Sequence, residues 1–416
     1  MLTLVRRHPI AVALAILVLV TAIGPLPPLV DAATGSPAGD GALVRPLLYV
    51  FLAPLSDVLD ALTFLSVERA EALLLTWSVV LALWWGLRSR GWRRIAGAVA
   101  GPVVVVAFAA ATVALPRPVP RLTVSDSSLA VVDYHAHTQA SHDGRKGWTA
   151  SDLAQWHARQ GFTGSYVTDH NSIFMGGVPG TFNLLQGVEW SVFDQHVIAL
   201  GPVQPIDRSE FDHSTAAMLR IFAELHRQGA VGIASLPEYW RNHFDELDQF
   251  IGAGVDGFEI VTCAPKALGF PAGARHDVLE LAQRHDLLVI GASDNHGWGA
   301  VTCVWNVTSP GPKGFRTNHV LARPLALLQD GPAASAGVTQ FWFMLRGLSW
   351  AERASWLTWI LVIAIYLGLP RRRGQRAGVG ILARSLSLKT EPPPVQPGGG
   401  VVERRRSSAG HTPPAE

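Results

Sequence analysis

At Pro120 the chain changes character. Before it lie long apolar segments broken by short basic or Pro-rich stretches. After it, short β-branched or apolar runs alternate with helical patterns. The runs fall at 130–134, 164–167, 183–188, 196–200, 231–234, 257–261 and 287–291. Helical patterns at 151–160, 215–227 and 275–285 lie between several of them, with Ser151 placed as an N-cap and Gly161 and Gly229 as stops. Strands alternating with helices imply parallel pairing and an α/β fold. About seven such units over about 190 residues suit a small barrel, whose catalytic groups gather at the C-terminal strand ends.

Those strand ends carry acids and histidines. The first run leaves into D-Y-H-A-H-T, so His135 and His137 stand one residue apart. In extended chain they share a face, and both imidazoles can reach one metal ion. His142 and Asp143 follow in a short loop. The second run ends T-D-H-N, with Asp169 and His170, and the third G-V-E-W-S, with Glu189. The fourth begins at His196, and the sixth holds Glu259. The last ends G-A-S-D-N-H-G, where Asp294 and His296 repeat the one-residue spacing. A lone H-x-H is as readily a packed pair as a ligand pair. Satisfied core histidines do not explain acids and histidines at successive strand ends. The only cysteines are Cys263 and Cys303, which excludes a Cys-rich zinc site or a disulfide framework. Any metal here is held by His, Asp and Glu.

In order and spacing, D-Y-H-A-H-T, T-D-H-N, G-V-E-W-S, F-E-I and S-D-N-H resemble the motifs of the PHP (polymerase and histidinol phosphatase) family, over residues 122–309. The resemblance implies an α/β fold, a distorted (β/α)7 barrel, holding two or three divalent metal ions. It also implies hydrolysis of phosphate esters, as in most characterised members. Carried over by position, His135, His137 and Asp294 would bind the first metal. Glu189 would bridge two metals, Asp143 and His196 would serve the second, and His170 and His296 a third. One position departs from the pattern. In A-S-L-P-E-Y-W, Leu236 stands where the family has a histidine. Leucine cannot ligate, so the third site is expected to be weaker, lost, or completed by another group such as His243 or water.

The chemistry holds without the family name. Imidazole and carboxylate ligands suit zinc, manganese or iron. A carboxylate between two cations offsets their repulsion. Water on such ions is acidified toward neutral pH, and the cations neutralise phosphoryl oxygens. The reaction expected is attack by a metal-bound hydroxide. Asp169 enters with Glu189 as a catalytic candidate, acting on its neighbours through hydrogen bonds. Lys266 and Arg275 lie in a Gly/Pro-rich loop and are candidates for substrate phosphate, Arg275 in bidentate fashion; surface charge is the commoner role for such residues. His142 reads equally as a solvated loop residue, and Glu259 as structural. Cys263 and Cys303 read as a disulfide or as two thiols.

The chain is 49% hydrophobic and only 16% charged, below the roughly 25% of an ordinary soluble protein, which points to membrane segments. Within 1–120, spans are expected at 10–30, 70–87 and 95–115. The first reads either as a signal peptide or, preferred here, as an uncleaved helix. Segment 47–67 contains Asp57 and Asp60 and reads as interfacial, because each buried Asp costs about 2.5–3.5 kcal/mol on insertion scales. A fourth span is expected at 351–369, after a linker and juxtamembrane stretch at 311–350, with a disordered basic tail at 370–416. Arg88, Arg90, Arg93 and Arg94 form one basic loop, and Arg371, Arg372, Arg373 and Arg376 a second. Short cytoplasmic loops are enriched in such residues. Both termini are then cytoplasmic and 121–310 faces outward.

The function expected is a membrane-anchored phosphoesterase acting on a phosphomonoester or phosphodiester. Its partners would be a phosphorylated substrate and the lipid bilayer. The formal net charge of +2 gives no reason to expect a nucleic-acid partner. The alternatives are a weak or inactive metal-binding sensor, which Leu236 motivates, and a metallohydrolase for a non-phosphate bond. A transporter is disfavoured, because the spans carry almost no ionisable residues at mid-depth.

Overall fold

The protein is described from a computed structural model, over residues 8–39, 41–175, 182–192, 195–212, 214–243, 246–309, 317–328 and 337–368. The tail at 370–416 lies outside the described residues, as does the second basic loop. Residues 1–365 form one unit.

The expected runs become strands β4 (Ala130–Asp133), β5 (Gly164–Val167), β6 (Asn183–Val192), β7 (Gln195–Leu200), β8 (Val231–Ser235), β9 (Gly257–Thr262) and β10 (Leu288–Ala292). They lie side by side in one curled sheet in that order. The pairs β4–β5, β5–β6, β8–β9 and β9–β10 are parallel, as expected. The β7 strand breaks the pattern, pairing antiparallel with both β6 and β8. Only two residues separate β6 from β7, too few for a crossover.

Past 310 the sheet continues, inside the stretch expected to be linker. Strand β11 (Val304–Thr308) pairs antiparallel with β4 and with β12 (Thr317–Ala322), and β1 (Val30–Asp31) adds to β12. A separate ribbon joins β2 (Gly41–Val44) to β3 (Arg121–Val124). Asn306 on β11 stitches the curl. Its amide nitrogen donates to Val132 O and Gly291 O (2.9 and 2.7 Å), and its oxygen accepts from Gly291 N–H (2.8 Å). Ala136 and Asn295 bridge the C-terminal ends of β4 and β10. Inside the curl Val132, Tyr134, Tyr166, Ile198, Ile233 and Ile290 form a buried cluster, so the interior is filled and not a pore.

Helices cover the outside. Helix α6 (Ala150–Gln160) follows a capping box in which Thr149, not Ser151, is the N-cap and Asp152 answers it. Gly161 (φ 95°) and Gly229 (φ 78°) take the left-handed conformation that closes α6 and α7 (Thr215–Gln228). Short α8 (Leu236–His243) and α9 (Leu247–Gly252) follow β8, and α10 (Ala272–Arg284) joins β9 to β10.

The apolar N-terminal third forms helices α1 (Pro9–Val20), α2 (Leu47–Phe51), α3 (Ala53–Thr63), α4 (Val67–Arg88) and α5 (Trp92–Ala114). Of the four expected spans, α4 and α5 are long and apolar enough to cross a membrane. Helix α1 has 12 residues, about 18 Å, against a hydrocarbon core of about 30 Å. The chain then turns, and by Val30 it is already in the sheet. After α11 (Pro324–Leu327) and α12 (Val338–Arg346), the last described helix, α13 (Trp350–Gly368), opens with buried Glu352 and Arg353. Glu352 pairs with Arg45, and Arg353 donates to Val18 O and Thr21 Oγ1 at the end of α1. The two aspartates of 47–67 lie within protein. Asp57 accepts from Trp356 Nε1 (2.9 Å), and Asp60 is ion-paired with Arg117 and Arg323.

Candidate metal centre

The C-terminal ends of the parallel strands converge on one side of the curl, and the chemistry-bearing residues converge with them. His135 and His137 leave β4. Asp169 and His170 follow β5, Glu189 sits within β6, and Asp294 and His296 follow β10. Because β7 runs antiparallel, its start lies beside the others' ends, with His196 opposite Ser191. Asp294 adopts a left-handed backbone (φ 46°), held by its N–H donating to His135 O (2.9 Å). For a non-glycine this conformation costs of order 1–3 kcal/mol and is characteristic of functional sites.

The ring nitrogens and carboxylate oxygens crowd together. The Nε2 atoms of His135 and His137 are 2.9 Å apart. They lie 3.5 and 3.1 Å from Asp294 Oδ1, and 3.1 and 3.3 Å from Glu189 Oε2. Glu189 Oε2 is also 3.0 Å from His170 Nδ1, while Oε1 is 2.6 Å from His196 Nδ1. Glu189 thus touches both halves of the site. The structure divides the remaining residues differently from the positional carry-over. Asp143 sits with His170 (3.6 Å) and His296 (3.3 Å), whereas His196 stays with Glu189 and His170. His142 is exposed, yet forms a metal-capable group with Asp143 and His170.

Among the described residues, four buried atoms here have no hydrogen-bond partner: Glu189 Oε2, Asp294 Oδ1, His170 Nδ1 and His296 Nε2. Buried polar atoms are ordinarily satisfied. These point at one another without hydrogen-bond alignment, which is how ligands of a shared cation stand. The far ring nitrogens are held by partners. His135 Nδ1 meets Glu259 Oε1 (3.1 Å), His137 Nδ1 meets Ser141 Oγ (2.8 Å), and His196 Nε2 meets Tyr239 Oη (2.9 Å). Such outer partners fix the tautomer and ring plane of metal-binding histidines. The donor set therefore fits divalent metals of the zinc, manganese or iron type.

The electrostatics agree. Burial opposes charge on His135, but Glu189, Asp294 and Glu259 hold its pKa well above the ordinary value. Burial likewise opposes His296, yet Asp294 and Asp143 raise it to about 9. Burial and the charge of His296 push His137 down to about 3. Burial works against ionised Glu189, but His135 and His196 hold its carboxyl well below the usual range. Carboxylates this dense need positive charge, which protons supply when no cation does. Below about pH 9 a cation must displace the proton on His296 to use that ring. Metal uptake is thus expected to release protons, and apparent affinity to fall as pH falls from 9 to 6. Calorimetry in buffers of different ionisation enthalpy reads both effects.

Asp169 is a positioning group. Its carboxylate is buried and accepts from Thr138 N–H (2.6 Å), Thr138 Oγ1 (2.8 Å) and Ser141 Oγ (3.1 Å). It acts through Ser141, which also holds His137 and accepts from His170 N–H (2.9 Å). Replacing Asp169 with Asn should weaken metal affinity by about 10–100-fold, the usual scale for an outer partner, as read by competition with a chromogenic chelator. Arg275, expected at the substrate, is engaged with backbone carbonyls. Its guanidinium donates to Ile260 O and Phe270 O (both 3.3 Å) and braces the loop. Lys266 does line the cavity at the site, paired with Glu238 (2.8 Å). Leu236 is buried in the apolar core, and the His243 side chain lies outside the described residues. Sequence reasoning missed Ser141 and Tyr239. Tyr239 had a signal, one helical turn after the anomalous Leu236. Cys263 and Cys303 are joined, with Cα atoms 5.7 Å apart.

No family model matches the chain, and no curated protein sequence matches it. Several solved structures are similar to part of it. A protein from Bifidobacterium adolescentis, described as a metal-dependent phosphoesterase, is 19% identical (TM-score 0.32), over 45% of this chain and 92% of its own. A two-domain protein from Bacteroides vulgatus, described as containing a PHP-like metal-dependent phosphoesterase, is 14% identical (TM-score 0.29), over 48% of this chain and 63% of its own. The lesion-specific endonuclease EndoQ of Pyrococcus furiosus is 14% identical (TM-score 0.33), over 45% of this chain and 54% of its own. The motifs that resemble the PHP family meet at one end of a curled α/β sheet.

Proposed function

We propose that this chain is a membrane-anchored, metal-dependent phosphoesterase whose catalytic domain faces away from the cytoplasm. One observation carries the reading. Six side chains, His135, His137, His170, Glu189, His196 and Asp294, bring buried nitrogens and oxygens together with hydrogen bonds left unmade. Bound divalent cations would supply positive charge for phosphoryl oxygens and make an attacking water more acidic. The chain's own groups divide the remaining work. Glu189 ties the two halves of the site together, Glu259 and Ser141 set the ring planes, and Tyr239 and Lys266 face the cavity where an ester would lie.

The placement relative to the membrane has structural support. Helix α4 starts at the site, where Val67 N–H donates to Pro265 O (3.1 Å), and α5 leads back to β3. Arg88 at the end of α4, Arg90 in the turn, and Arg93 and Arg94 at the start of α5 are at the far end, about 33 Å along a 22-residue helix. Cytoplasmic loops are enriched in such residues, which supports a domain on the opposite side. A Cys263–Cys303 disulfide suits an oxidising compartment. Cytoplasmic placement of both termini requires α1 and α13 to cross as well.

Full-length protein in detergent should hydrolyse aryl phosphomonoesters or diesters. It should lose that activity on chelation and regain it with manganese or zinc. Metal-loaded protein inert toward a broad ester panel contradicts the reading. Leu236 favours a second one, a metal-binding module without turnover, which the same panel decides.

A further inference from the structure

The site opens into the membrane helices. One cavity of about 1320 Å3 runs from Glu189, His196, Asp294 and His296 past Pro265 and Lys266 to an apolar space walled by α3, α4, α5 and residues 337–344. It exceeds the roughly 300–1,000 Å3 of ordinary small-molecule pockets. Its two ends differ in chemistry. On α4 the lining residues are Ala70, Leu73, Leu74, Trp77 and Leu81, spaced i, i+3, i+4, i+7 and i+11, a single helical stripe. On α5 the same cavity is lined by Val104, Val105, Phe108, Ala109 and Thr112. The Thr112 hydroxyl donates to Ala109 O (2.6 Å), so even this residue turns its proton away from the groove. None of these lining residues is charged. The stripe on α4 rises roughly 16 Å from Ala70 to Leu81, at about 1.5 Å per residue. A small hydrophilic ester would leave this groove empty, and a hydrocarbon would leave the ionic site unused.

Resting on the phosphoesterase reading, we infer that the substrate is a membrane lipid bearing a phosphate ester. Its head lies at the His/Asp/Glu cluster and one hydrocarbon chain lies in the α4–α5 groove. The continuity of the two linings selects a single amphiphile over separate ligands. Among the described residues α4 and α5 are the two helices long and apolar enough to cross a membrane, so a hydrocarbon chain seated against them would lie at bilayer depth. In the reaction the oxygen of water bonds to phosphorus, and the P–O bond to the leaving oxygen breaks. That oxygen ends with one of water's protons.

The test uses full-length protein in detergent micelles and a hexadecyl phosphate carrying a diazirine at the chain's far end. After photolysis, labelled residues are mapped by mass spectrometry. The expected label falls on the α4 and α5 stripes, and excess dodecyl phosphate reduces it at least tenfold while butyl phosphate does not. Label spread evenly over outward residues such as Leu75, Leu83, Val99 and Val106, or insensitive to dodecyl phosphate, overturns the proposal. The groove would then be covered by bulk lipid or by a second copy. A second readout is the ratio of kcat/KM for long-chain over short-chain phosphate esters. Ala109→Trp and Leu73→Trp should each lower that ratio at least tenfold; an unchanged ratio in both folded variants also overturns it. Should neither ester be hydrolysed, the phosphoesterase reading fails, and the labelling pattern still decides whether the groove takes a lipid phosphate.

Discussion

Replacing Glu189 with Gln should lower turnover of an aryl phosphate ester by about 10²–10³-fold or more, with little change in stability. The scale is that of removing one preorganised electrostatic group from a site shielded from water. Glu189 Oε2 lies within 3.0–3.3 Å of nitrogens on His135, His137 and His170, and Oε1 lies 2.6 Å from His196. The amide keeps the volume, so Val188 and Trp190 stay packed in the core. It removes the charge, however, and turns an N–H2 donor toward nitrogens that must accept a cation. Turnover and metal content should fall together. Wild-type turnover in the variant would remove Glu189 from the centre of the site.

Asp60→Ala should destabilise the full-length protein by about 3–5 kcal/mol, the range for breaking a buried ion pair from one side. Asp60 Oδ1 accepts from Arg117 Nη2 (2.9 Å) and Oδ2 from Arg323 Nη1 (3.1 Å) and Tyr49 Oη (2.9 Å). All of these side chains are buried. Alanine leaves two guanidinium groups without their shared anion. The location amplifies the effect, because Arg117 leads into β3 and Arg323 leaves β12, while Asp60 sits on α3. The triad therefore fastens the helical layer to the catalytic domain. Chemical unfolding in detergent reads the change, and a loss under about 1 kcal/mol would show that the triad is not a fastening.

The seven runs from β4 to β10 were legible because fully buried strands read as short β-branched or apolar runs. The antiparallel direction of β7 was not, since alternation of apolar residues carries no direction. It is nevertheless what brings His196 to the site. Strands β11 and β12 hid in Gly/Pro-rich surroundings, and no sequence pattern marks Asn306 as the stitch of the curl. The ligand-type residues were legible from strand ends, but their grouping was not. Asp143 rides on a loop, and only three-dimensional geometry sets it beside His170 and His296. The contacts of Arg275 with Ile260 O and Phe270 O were not legible, because a guanidinium after a Gly/Pro-rich loop serves backbone carbonyls as readily as phosphate. Asp57 and Asp60 were legible as acids in an apolar segment, while their partners Trp356, Arg117 and Arg323 are distant in sequence.

The central claim is that the crowded cluster is a centre for more than one metal ion. Elemental analysis of the full-length protein, purified without chelators and supplied with manganese, zinc and iron during expression, tests it most directly. The account predicts two or three divalent metal ions per chain, falling in Glu189→Gln. One tightly bound ion or none would contradict it.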